Sequence, residues 1–153
     1  MGLYFDTFKK LSSSILGNDF LILLAAIFTG VLFFIVKFSA KKIDEYSKEW
    51  KINRNTQFSS FSLKYTRILY TVFVTMISIF PLLGMFGTVS GLLGLDLASG
   101  DMANLKNNFF IALTSTAWGI IFSVIFKILN AFNSDFIEEQ IEVAKQLSDE
   151  NDL

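Results

Sequence analysis

Residues 80–91 read FPLLGMFGTVSG and lie inside an apolar run over residues 68–95. They hold the only proline of the chain and three of its nine glycines. On a helix, Pro81, Gly84, Thr88 and Gly91 follow one another at spacings of three, four and three. At that spacing they share one face, within about 80° of arc. Leu82, Leu83, Met85, Phe86 and Val89 fill the remaining positions with bulk. In water each glycine would weaken such a helix by about 1 kcal/mol and the proline by about 3. Closely packed neighbours in lipid tolerate both, and small residues let helix backbones approach. The stretch reads as the second helix of a membrane protein, with Pro81, Gly84, Gly87 and Gly91 as packing positions.

The surrounding sequence agrees. Apolar residues make up 52% of the chain and 18 of its 153 residues are phenylalanine, beyond the needs of an ordinary soluble core. A net charge of −1 and the lack of a basic patch give no sign of nucleic acid as a partner. With no cysteine and no histidine, disulfides, thiol nucleophiles, imidazole metal sites and Ser-His-Asp catalysis are all excluded. No catalytic residue and no metal ligand set is expected. The N-terminal residues, with Asp6 and Asn18 and no small-residue cleavage site, do not read as a signal peptide.

Residues 1–18 place Leu3, Tyr4, Phe8, Leu11 and Ile15 at helical spacing, as an amphipathic helix lying in the interface. Residues 19–38 form the first expected span. Residues 39–67 are a polar loop with seven basic residues against three acids, helical through Lys51 and turning over residues 53–62. Residues 68–95 form the second span, about 42 Å long as a helix and so longer than the hydrocarbon core. Residues 96–107 are an outer loop, residues 108–130 the third span, and residues 131–153 a helical tail with Phe132, Phe136, Ile137, Ile141, Ala144 and Leu147 in period. Basic residues number seven in the first loop, one in the second and two in the N-terminal segment. That bias puts the first loop and the C-terminus in the cytoplasm and the N-terminus outside. The expected fold is an all-α membrane protein of three transmembrane helices with cytoplasmic helical extensions.

The third span carries its own stripe. Asn108, Ala112, Thr116, Gly119, Ser123, Lys127 and Asn130 recur every three or four residues, and all but Lys127 are small or uncharged polar residues. They fall within about 100° of arc. Such a stripe faces other helices or a water-filled cavity, not lipid. Thr88 and Thr116, each on a clean stripe near mid-membrane, are the candidates for an ion pathway, with Ser123 and Asn108 on the same line. Thr114 and Ser115, off the stripe, read as packing hydroxyls. Lys127 lies near the inner boundary, where it snorkels to lipid phosphates or contributes to a ring of ammonium groups at an oligomeric pore mouth. No Asp, Glu, Lys or Arg lies in the core of any span. The chain therefore moves no ions, or a partner helix brings the titrating group.

FPLLGMFGTVSG, a short loop, and then ALTSTAWGI over residues 112–120 resemble the MotA/TolQ/ExbB proton-channel family, with the ExbB and TolQ branch closest. The likeness spans residues 78–131. It implies a homopentamer around two single-span helices of the ExbD/TolR/MotB type, in a bacterial cytoplasmic (inner) membrane. The partner would carry a membrane aspartate, and protons, or sodium, would be the transported ion with no other cofactor. By resemblance Thr88 and Thr116 match the family's pathway threonines; Ala112 and Gly119, on the third-helix stripe, are expected as packing positions.

The sequence departs from the branch at three points. Ile111 stands where a glutamate is usual, Val124-Ile125 where Ile-Pro is common, and Asn130-Ala131 where Tyr-Asn is usual. The cytoplasmic loop is short and lacks a torque domain, against a flagellar stator. The leading expectation is a channel subunit of a proton-driven envelope motor. The alternative is a non-conducting scaffold that oligomerises around a partner, and an enzyme is not expected.

Overall fold

A computed structural model of the chain describes residue 9 and residues 19–52, 60–94 and 102–151, with side chains at 9, 19–50, 65–94 and 102–148. Among these residues there are three helices and no strand: α1 (Phe20–Ile52), α2 (Ser60–Leu93) and α3 (Met102–Asn151). Each is long and apolar enough to cross a membrane. The amphipathic helix expected over residues 1–18 lies outside the described residues, Lys9 excepted.

Asp19 starts α1. Its carbonyl accepts from the amides of Ile22 (3.0 Å) and Leu23 (3.1 Å), two of the donors that a helix N-terminus leaves unpaired. Beyond the apolar stretch α1 continues through charged sequence, where Lys48 Nζ meets Asp44 Oδ2 at 2.7 Å one turn apart.

Two helices begin before the expected spans. α2 starts at Ser60, inside the turn expected over residues 53–62, of which 53–59 are not described. α3 starts at Met102, inside the outer loop expected over residues 96–107. Polarity was the sequence signal for both loops, but a membrane boundary and a helix boundary are different things. Residues 60–67 and 102–107 contain neither glycine nor proline to stop a helix. Thr66 is moreover buried, and the Asn104 side chain accepts from Asn108 Nδ2 at 3.2 Å, which secures the first turns of α3.

The helices divide into two compact units, one holding the chain up to Phe28 with Ile77–Phe126, the other Thr29–Met76 with Lys127–Leu153. In the second, Val36, Ala40 and Ile137 are completely buried, with Leu69, Tyr70 and Ile141 packed on them. Phe33 and Phe73 add a tilted ring contact at 5.5 Å. Tyr70 Oη donates to Glu138 Oε1 at 3.0 Å, joining α2 to the helical tail expected over residues 131–153. Lys127 belongs to this unit and its side chain is exposed.

In the first unit α2 and α3 lie against each other through small residues. A Cβ added at Gly119 would sit 2.6 Å from the Phe80 carbonyl oxygen and 2.9 Å from Gly84 Cα. One at Gly84 would sit 3.0 Å from Thr116 Cα, and one at Gly91 2.9 Å from the Asn108 carbonyl oxygen and 3.0 Å from Ala112 Cβ. One at Gly87 would fall on the Ser115 side chain. Backbone meets backbone at Gly84 and Gly119 because neither carries a side chain there. Phe80, stacked on Phe126 at 5.5 Å and near Phe122 at 5.9 Å, fills the space beside it.

Candidate functional site

The contacts between α2 and α3 in the first unit run in strict antiparallel register. Asn108 Nδ2 donates to the Gly94 carbonyl at 2.6 Å. Further along, Ala112 meets Gly91, Thr116 meets Thr88 and Gly84, and Gly119 meets Gly84 and Phe80. Ser123 Oγ then donates to the Ile77 carbonyl at 3.1 Å, a buried bond. The third-helix stripe from Asn108 to Ser123 thus faces α2 of the same chain.

Ser123 has a specific task at this crossing. Pro81 has no amide hydrogen, so the Ile77 carbonyl one turn earlier loses its helical donor. The Ser123 hydroxyl takes that carbonyl, and a proline is thereby accommodated in a continuous helix. Asn108 is a tie at the other end of the contact. Both were expected on an ion pathway, and both place their hydrogen bonds on carbonyls of this chain.

Thr88 and Thr116 stand between these ends, half-buried, and their hydroxyls hydrogen-bond each other. Thr88 Oγ1 also lies 3.1 Å from the Gly84 carbonyl and 3.2 Å from the Ala112 carbonyl. Thr116 Oγ1 lies 3.3 and 3.4 Å from the same two carbonyls. Two hydroxyls thus share two carbonyl acceptors, one from each helix. Either threonine can donate to the other while the second donates to a carbonyl, so the direction of the pair can reverse without breaking the cluster. That is a relay geometry. It contains no group that titrates near neutral pH.

The model of the MotA/TolQ/ExbB proton channel family matches residues 62–146, more than half of the chain, with both threonines inside the match. The chain belongs to this family. No curated protein and no solved structure matches it.

Two residues of this family member's first unit escaped the sequence reading. Ser115, taken for a packing hydroxyl, donates to Asp19 Oδ1 and also lies 3.0 Å from the Ile111 carbonyl. Asp19 is 1% exposed, and among the described residues it is the only buried Asp, Glu, Lys or Arg. The signal available was thin: one acid immediately before a long apolar run, and a serine one position away from the stripe. Among the described residues no group of three or more His, Cys, Asp or Glu side chains could hold a metal ion.

Proposed function

We propose that this chain is a channel subunit of a proton-motive-force-driven motor in a bacterial cytoplasmic membrane. Five copies would surround the transmembrane helices of a single-span, ExbD/TolR/MotB-like partner, with the N-terminus outside and the C-terminus in the cytoplasm. Ion flow past the partner's membrane aspartate would turn one ring against the other and deliver work to the envelope. The observation that carries this reading is the Thr88–Thr116 hydroxyl pair. A hydroxyl hydrogen-bonds a carboxylate as donor and a carboxylic acid as acceptor, so the pair can escort an aspartate through both states without trapping it. The loop charges and the family membership support the orientation and the channel role.

The test is proton uptake into liposomes holding the chain together with its single-span partner. The paired substitution Thr88→Val and Thr116→Val keeps the shape of both side chains and removes both hydroxyls. Flux is expected to fall by at least about tenfold, a barrier increase of about 1.4 kcal/mol. Unchanged flux would remove the assigned role of the pair.

A second reading, a non-conducting scaffold around a partner, draws support from one observation. Asn108, Ser123, Thr88 and Thr116 all have carbonyl partners within the chain, as packing hydroxyls do. It predicts no flux from the parent protein and partner at all, whereas sodium as the ion would give flux that follows sodium and not pH.

A further inference from the structure

Where the apolar stretch of α1 gives way to charged sequence, the helix has two unlike sides. Val36, Ala40 and Ile43 are buried in the second unit. By the helical period, Phe34, Lys37, Phe38 and Lys41 lie on the opposite side of the same turns. Phe34 is 70% and Phe38 62% exposed, so the described chain leaves them uncovered. With Ile35 and Ser39, these four side chains line a groove of about 590 Å³. Val31, one turn before Ile35, is exposed as well and extends its apolar end.

The lysines here lean toward the apolar stretch. Lys37 Nζ stands 5.8 Å from the centre of the Phe33 ring, and Lys42 Nζ 5.0 Å from that of Phe38. Lys41 lines the groove beside Phe34 and Phe38 and makes no ion pair with Glu45 one turn on. A lysine placed before the glutamate is the weaker order for such a pair, and Glu45 lines a separate pocket with Lys42, Tyr46 and Glu49. Among the described residues the one ion pair is that of Lys48 with Asp44. Residues 51–67, which follow α1 in sequence, contain no acid. Two ammonium groups therefore stand at an apolar groove without a carboxylate partner.

We infer that this groove binds an anionic phospholipid. Its acyl chain lies along Val31, Phe34 and Phe38, and its phosphodiester sits between the ammonium groups of Lys37 and Lys41. Those two residues are neighbours on the helix surface, four positions apart, and the two free oxygens of a phosphodiester accept from both. A zwitterionic lipid would bring a third cation to a place that already holds two, whereas phosphatidylglycerol brings hydroxyls. The groove thus selects the anionic headgroup. A protein in the same place would have to bury both ammonium groups, at a cost in desolvation; a lipid headgroup leaves them hydrated.

A fluorophore on Val31→Cys, quenched by lipids brominated on their acyl chains, tests this in the bilayer, since the chain has no cysteine of its own. The full chain is placed in phosphatidylcholine vesicles with a small, equal fraction of brominated phosphatidylglycerol or brominated phosphatidylcholine. Association with phosphatidylglycerol is expected to be about fivefold the stronger. Lys37→Ala with Lys41→Ala is expected to make the two lipids equal. Lys48→Ala with Lys51→Ala removes the same charge further along α1 and is expected to keep the preference. If the Lys37 and Lys41 variant does not insert, high salt decides on the parent protein, where screening is expected to bring the two lipids close to parity. Equal quenching in the parent, a preference that survives Lys37→Ala with Lys41→Ala or high salt, or one lost as fully in Lys48→Ala with Lys51→Ala would overturn the inference. Quenching by neither lipid would put a second copy or another protein over the groove and overturn it too.

Discussion

Gly119 and Gly30 are both helical glycines with opposite surroundings. At Gly119 an added methyl would meet the Phe80 carbonyl at 2.6 Å and the Gly84 backbone, atoms that cannot step aside; at Gly30 it would meet nothing within 4 Å. Gly119→Ala is therefore expected to destabilise the protein by about 1–3 kcal/mol through forced separation of backbones. Gly30→Ala is expected to be neutral, or to stabilise by up to about 1 kcal/mol through helix propensity. Denaturation in mixed micelles measures both, and equal behaviour of the two variants would refute the contact. The packing role of Gly84, Gly87, Gly91, Ala112 and Gly119 was legible in their spacing, because small residues at three- and four-residue intervals mark a face whatever they face. The partner of each was not. Gly87 falls one position off the Pro81–Thr88 stripe, and only the crossing geometry reveals that Ser115 needs the room it leaves.

Helix α2 survives a proline in its apolar stretch because α3 supplies what the proline removes. Restoring the amide with Pro81→Ala gives the Ile77 carbonyl its own helical donor, and Ser123 becomes redundant there. Ser123→Ala should thus cost about 0.6–1.7 kcal/mol in the parent and close to nothing in the Pro81→Ala background. A double-mutant cycle on unfolding free energy reads the difference, and a cycle that sums to zero would break the link between Pro81 and Ser123. At this scale the sequence announced three long apolar segments, and two of the helices begin before the expected spans, at Ser60 and at Met102. Hydropathy reports where lipid ends, and the helical hydrogen bonds continue past that point. Asp19 was hidden by the same habit, since an acid just before an apolar run is assumed to be at the surface.

For the chain as a whole, a lipid environment accounts for its outside. Leu82, Phe86 and Phe34 are 57%, 64% and 70% exposed, bulk that a water-soluble protein would not display together with so many others. The membrane class, the all-helical fold and the family were readable from residues 68–131, because oily runs and paired small-residue motifs survive without knowledge of contacts. A subunit count and a partner are implied by the family resemblance alone, since no pattern inside one chain encodes how many copies meet. The central claim is that Thr88 and Thr116 border a water-reachable ion route while the bulky back of α2 does not. The chain has no cysteine, so single cysteines can be probed without background. Reaction of Thr88→Cys, Thr116→Cys and Phe86→Cys with a small charged thiol reagent, in membranes holding the complete complex, is the most direct measurement. The account predicts modification at positions 88 and 116 and none at 86; unreactive positions 88 and 116 beside a reactive 86 would contradict it.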